Sequence, residues 1–290
     1  MKWCACAVVF LAAISSGLAE AQIDFATVIV VGVSENRVVV AANAGSGSQN
    51  GHDRCKVTLL DGKVLYGAAG VVADTAPAIP GQWTIDATSA ANASLADAPK
   101  RMQACAAAGS CSFDPKSLPE NSAQGWADSV MSRLAAASNI GPDDWKLGAG
   151  VTGIFAGVGP AGEMEAVVDQ ILCEKPGAQA AEASAKPQSN CQPHLDFSRK
   201  VVPPKGHTVW IPLGISDIAN EYLRQASDRA KEEVKEWPKL QEWQIAYRLV
   251  DLTLAYSQKK VSVSGPIEVV ELRSNGTVTW IQNPLHCPEK

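Results

Sequence analysis

Near the start of the chain a hydroxyl at Thr27, an amide at Asn43, an ammonium at Lys56 and side-chain-free backbone between Gly67 and Gly70 all fall at the ends of apolar runs. These are group types from which an amide hydrolase is built: it needs a nucleophile, a base and donors for the oxyanion. A threonine at a free N-terminus carries its own base, because an α-amine titrates near ~8 and accepts the hydroxyl proton. A nearby ammonium lowers that amine's pKa, a carboxylate orients the ammonium, and the N–H of a glycine is open to a developing oxyanion.

Two hairpins must position these groups. Thr27 to Val33 returns as Arg37 to Asn43 through Ser34-Glu35-Asn36, and Lys56 to Leu60 returns as Lys63 to Gly70 through Asp61-Gly62, a strong two-residue turn signal. A first turn centred on Glu35 puts Thr27 opposite Asn43, and closure on Asp61-Gly62 puts Lys56 opposite Gly67. A slip of one residue would move every side chain to the other face. Packed side by side, the hairpins gather Thr27, Asn43, Lys56 and Gly67–Gly70 at one end of a sheet.

This stretch resembles the opening of proteasome β-type subunits and of the related bacterial ATP-dependent ring peptidase, which are N-terminal nucleophile hydrolases. The resemblance is carried by Thr27, by Ala41-Ala42-Asn43, by Lys56 and by Ala69-Gly70-Val71-Val72-Ala73-Asp74. It continues in Gly153 to Pro160, similar to the family's central strand and turn, and in Ser264 to Leu272 with Asn275-Gly276, similar to its closing hairpin. It implies Thr27 as nucleophile, Lys56 as the ammonium, Asn43 at the position of the lysine's partner and Gly70 as oxyanion donor, with Ser216 and Ser264 near positions of supporting serines. The substrate implied is a peptide or small amide, with no cofactor, and assembly into a homo-oligomer or ring is a family habit.

Three positions depart from the pattern. Asn43 stands where the family has aspartate, so Lys56 loses a charged partner. Residues Gln22 to Ala26 precede Thr27, so a cut after Ala26 is needed, and Val261 stands where many members carry a second acid. A degenerate, non-catalytic structural or binding subunit is therefore the alternative reading.

Residues 1–21 read as a secretory signal: Lys2, an apolar run from Cys6 to Ile14, and the small-x-small site Ala19-Glu20-Ala21. The run is shorter than the roughly 20 apolar residues a membrane span requires, so the expectation is a secreted or periplasmic protein. Export also separates the chain from the ATP-driven unfolding partners that feed the family's rings. The formal net charge of −5, with no basic stripe, argues against nucleic acid. Six cysteines follow the signal, and an even number in an exported chain favours disulfides, with fifteen connectivities open. Proximity suggests Cys105–Cys111 and Cys173–Cys191, which leaves Cys55–Cys287. The histidines (His52, His194, His207, His286) are scattered and no zinc-ligand spacing occurs, so no metal is expected.

From residue 22 the chain reads as one domain with insertions at about 75–122 and 173–206. Helical spacing is weak near 87–104 and better over 123–138, a buried strand spans 147–158 and its partner 163–172. The stretch 173–206 reads as a solvated loop. Ile218, Tyr222, Ala226 and Ala230 form the stripe of one helix, capped by Ser216 or Asp217 and broken at Trp237-Pro238, and a second helix covers 241–257. The strands 266–272 and 277–282 close the chain. Hairpins separated by helix pairs predict an α+β fold with antiparallel sheets and helices outside. The resemblance sharpens this to a four-layer αββα sandwich, two stacked antiparallel sheets covered by helices.

Overall fold

A computed structural model of the chain describes residues 27–44, 55–70, 86–111, 113–136, 150–174, 192–257 and 265–287. In chain order these form β1 (Val28–Ser34), β2 (Arg37–Asn43), β3 (Val57–Leu60), β4 (Val64–Gly70), α1 (Ala87–Ala108), α2 (Leu118–Ala136), β5 (Gly150–Val158), β6 (Met164–Glu174) and β7 (Gln192–Val201). There follow β8 (Val209–Gly214), α3 (Asp217–Leu223), α4 (Asp228–Val234), a 3-10 turn at Trp237–Lys239, α5 (Glu242–Ser257), β9 (Ile267–Arg273) and β10 (Val278–Gln282).

The strands make two five-stranded antiparallel sheets. Sheet 1 has the order β10-β9-β2-β1-β8 and sheet 2 the order β3-β4-β5-β6-β7. Their facing sides share a core of Ile29, Val31, Val40, Leu65, Ile154, Val168 and Val270. Helices α1 and α2 cover the far side of sheet 2 over Tyr66, Phe155 and Trp126, and α3 to α5 cover sheet 1 over Val28, Val30 and Leu249. This is the expected four-layer αββα sandwich. Because both faces of β1 and β2 are buried, their sequences run almost wholly apolar instead of alternating.

The helices are set by small residues and caps. In α1 the buried row Ala87, Ala90, Ala91, Leu95 and Ala98 lies on one face, and Asp86 Oδ1 caps the start by accepting from Ser89 N–H at 2.8 Å. Helix α2 starts at Leu118, earlier than the periodicity suggested, because Ser117 caps it: Glu120 N–H donates to Ser117 Oγ at 3.0 Å, while Glu120 Oε2 accepts from Asp114 N–H at 2.8 Å and so holds the preceding turn.

Several expectations need correction. Both hairpins are shifted by one residue. Ser34 pairs with Arg37 around the two-residue turn Glu35-Asn36, so Asn43 falls level with Val28 and not with Thr27. In the second hairpin Lys63 stays outside the ladder and Leu60 pairs with Val64, so Val57, and not Lys56, lies opposite Gly67. Nor do the hairpins lie side by side: one is in each sheet, face to face. Part of the supposed loop 173–206 is β7, whose largely exposed, polar side chains hide a strand held by its ladder to β6. Strand β8 was not anticipated; it is a sheet edge, which tolerates Pro212. The helix read through Ala230 is two helices, divided where Gln225 takes a φ of 50° and Ser227 Oγ caps α4 by accepting from Ala230 N–H. Ser216 makes no side-chain cap bond to α3.

Candidate functional site

The site is built where strand ends from both sheets meet. Thr27 immediately precedes β1, Asn43 ends β2, Lys56 immediately precedes β3 and Gly70 ends β4. All but Gly70 are buried, Thr27 at 2%, Asn43 at 0% and Lys56 at 8% exposure. Thr27 is fixed through its carbonyl, which accepts from Ile215 N–H at 3.2 Å just past β8. A Cβ on Gly214 would lie 1.8 Å from that carbonyl oxygen and 3.1 Å from Ala69 Cβ. The end of β8 therefore brings Thr27 up against the Ala69-Gly70 end of β4. A Cβ on Gly67 would likewise meet Ile29 Cδ1 at 3.2 Å and the Lys56 carbonyl at 3.5 Å. Thr27, Lys56 and Gly70 are thus drawn to one end of the sandwich.

Asn43 also fixes the backbone at this end. Its Oδ1 accepts from Val28 N–H at 2.6 Å, which clamps the start of β1 onto the end of β2. Continuing the alternation of β2, Asn43 belongs to the row of Val39 and Ala41, which pack under the helices, whereas Thr27 continues the row of Ile29 and Val31, which faces the other sheet. The one-residue shift in register is what separates them.

The residue missed in the sequence is Glu268. It lies opposite Ala42 on β9, in the row of Val270 and Leu272 that faces the other sheet, and it is fully buried. Its Oε1 accepts from both Lys56 N–H at 2.6 Å and Val57 N–H at 2.7 Å, which ties sheet 1 to the start of β3. Its Oε2 lies 3.0 Å from Cys287 Sγ. Burial pushes the Glu268 carboxyl up to about 7, against the opposing pull of the two N–H bonds and the Lys56 charge. A lone acid at a core-facing position of the run Ile267-Glu268-Val269-Val270 was the available signal.

Cys55 and Cys287 form a disulfide with a Cα–Cα distance of 5.7 Å, a second bond between the two sheets at this end. Cys105 and Cys111 also pair, and Cys173 is disulfide-bonded; its expected partner Cys191 lies outside the described residues, as do Val261 and Ser264. The sulfurs of Cys55 and Cys287 and a Glu268 oxygen lie within 4.8 Å of one another, but oxidised sulfurs offer no thiolate to a metal ion.

Gly70 has a φ of 96°, and a Cβ there would sit 2.0 Å from the Gly150 carbonyl oxygen. Close approach of β5 therefore requires glycine, whatever its N–H does in chemistry. Among the described residues no helix is long and apolar enough to cross a membrane.

No protein-family model matches the chain, and no curated protein matches it. Among solved structures the chain is similar to an Anbu (Gly-1) mutant from Hyphomicrobium sp. strain MC1, at 13% identity over 88% of this chain and 85% of that one, with a TM-score of 0.43. A likeness of that size decides nothing about the site, and the architecture rests on the chain's own strands, ladders and core.

Proposed function

We propose that the chain is an exported, proteasome-like threonine hydrolase that cleaves peptide or small amide bonds through Thr27, once the bond after Ala26 has been cut. The observation that supports this reading is the convergence of Thr27, Lys56 and Gly70 at one end of the sandwich. In the matured form Thr27 Oγ attacks the substrate carbonyl while its proton passes to the Thr27 α-amine. The amine then returns that proton to the leaving nitrogen, leaving an acyl ester on Thr27 that water hydrolyses. Lys56 stabilises the developing negative charge, and Gly70 N–H receives the oxyanion. The reaction calls for no cofactor, and a homo-oligomer is the expected assembly.

One observation favours a non-catalytic role: Asn43 Oδ1 is bonded to Val28 N–H, which makes Asn43 a clamp on β1. Intact-mass analysis of the exported protein decides between them. The hydrolase yields a form beginning at Thr27, and Thr27→Ala abolishes both that cut and peptide hydrolysis. A mature protein that retains Gln22 to Ala26 has no threonine amine to act as base, and that result would establish the structural or binding subunit.

A further inference from the structure

We infer that Cys55 and Cys287 form a thiol–disulfide exchange site with its own proton donor: a dithiol attacks Cys55, and Glu268 protonates the Cys287 sulfur as it leaves. The exchange is separate from the proposed hydrolysis and does not depend on Thr27.

The place of the Glu268 proton follows from its neighbours. Oε1 accepts from Lys56 N–H at 2.6 Å and from Val57 N–H at 2.7 Å, so its acceptor capacity is used. Oε2 lies 3.0 Å from Cys287 Sγ, and a sulfur joined to Cys55 has no hydrogen to offer it. An ionised Oε2 would therefore face sulfur lone pairs in a fully buried setting. A protonated Oε2 instead donates to that sulfur, which is a weak acceptor. Burial favours the same state and holds the carboxyl up at about 7, although the two N–H bonds and the charge of Lys56 work the other way. The acid is loaded and aimed at one of the two sulfurs.

Those sulfurs differ in access. Cys55 is partly exposed and Cys287 is 3% exposed, so an incoming thiolate reaches Cys55. Its sulfur bonds to Cys55 Sγ while the Cys55–Cys287 bond breaks, and the electron pair of that bond passes to Cys287 Sγ. A thiolate buried there is unfavourable. The proton on Oε2 crosses to it, which leaves a Cys287 thiol donating to a Glu268 carboxylate. The second thiolate of the dithiol then closes on its companion sulfur and releases Cys55 as a thiolate, which water protonates. The bridge has gained two electrons and the dithiol has become a disulfide. In the reverse direction the carboxylate takes the proton back and makes Cys287 the nucleophile, so Glu268 is acid for reduction and base for oxidation.

A clamp on β3 needs only an acceptor, whereas this role needs a proton, and the two make opposite demands on pH. Oxidised full-length protein is treated with dithiothreitol under native conditions, quenched by alkylation at intervals and mapped by mass spectrometry. Cys55–Cys287 and Cys105–Cys111 are thereby followed in one sample. Each rate is divided by the thiolate fraction of the reductant at that pH. For Cys55–Cys287 the corrected rate falls about tenfold or more from about pH 6 to about pH 8.5, as Glu268 loses its proton. In Glu268→Gln it is level with pH and, at about pH 6, roughly tenfold or more below wild type; Cys105–Cys111 behaves alike in both proteins. Were Glu268 only structural, its ionisation would loosen the fold and the corrected rate would rise with pH. A rate that stays level, rises, or falls in step with that of Cys105–Cys111 overturns the inference, as does a Glu268→Gln protein reduced as fast as wild type. Should the variant not fold, the wild-type profile alone decides.

Discussion

Glu268 makes stability depend on pH in a direction opposite to that of most carboxylates. Its folded pKa stands at about 7 against an ordinary 4.5, so the folded protein binds the proton more tightly than the unfolded chain does. Below the unfolded value both states are protonated and the contribution is fully present. It is lost as pH rises, and the loss is complete above the folded value. A shift of that size corresponds to roughly 3 kcal/mol at 1.36 kcal/mol per unit. Glutamine never ionises, so Glu268→Gln lacks this loss. The measurement is urea unfolding of both proteins at pH values from about 4.5 to 8, taking the difference between them so that the other titrating groups cancel. The stability of Glu268→Gln relative to wild type should climb by roughly 3 kcal/mol across that range, most of it before neutrality. A difference that stays flat, or that moves in favour of the wild type as pH rises, would refute the reasoning about burial.

Two other perturbations test how the layers are joined. Lys200 on β7 bridges Glu120 at 2.5 Å and the fully buried Glu165 at 2.8 Å. Lys200→Met leaves Glu165 buried without its cation and should cost about 2–3 kcal/mol, below the ~3–5 kcal/mol of a fully buried broken pair because Lys200 is partly exposed; thermal unfolding with no loss would show this ion pair to be dispensable. Replacing both Cys55 and Cys287 by serine removes a bridge spanning 232 residues and should destabilise by about 2–5 kcal/mol. Urea midpoints unchanged from wild type would show that the other inter-sheet contacts suffice.

What was legible in the sequence was whatever local pattern decides. Val28 to Asn43 could hardly form anything but a buried hairpin, and Asp61-Gly62 announced its turn. The registers were not legible, because one residue in or out of a turn decides them: Glu35-Asn36 closes the first hairpin without Ser34, and Lys63 stands outside the second. Strand β7 escaped notice because its ladder to β6, which involves no side chains, is what makes it a strand. That Thr27, Lys56 and Gly70 stand at strand ends was legible; that the two hairpins belong to different sheets was not, because no local pattern sets which sheet a hairpin joins. Glu268 was not, since its partners are backbone groups more than 200 positions away in the chain.

The two sheets differ in how the chain reaches them, and this sets when each can be completed during synthesis. Sheet 2 is a meander in which every strand after β3 pairs with the one made just before it. Sheet 1 has the first hairpin near its centre, flanked by β8 on one side and by β9, made almost last, on the other. A ribosome therefore delivers β1 and β2 long before the strands that cover their edges. Through most of translation those edges are unpaired, valine-rich and able to recruit other copies. A chain kept unfolded until its end has been made, as on threading through a translocation channel, meets all its partners together. One left to fold in the cytosol while being synthesised carries its stickiest hairpin uncovered, and its cysteines at 55 and 287 unjoined, for as long as the ribosome is at work.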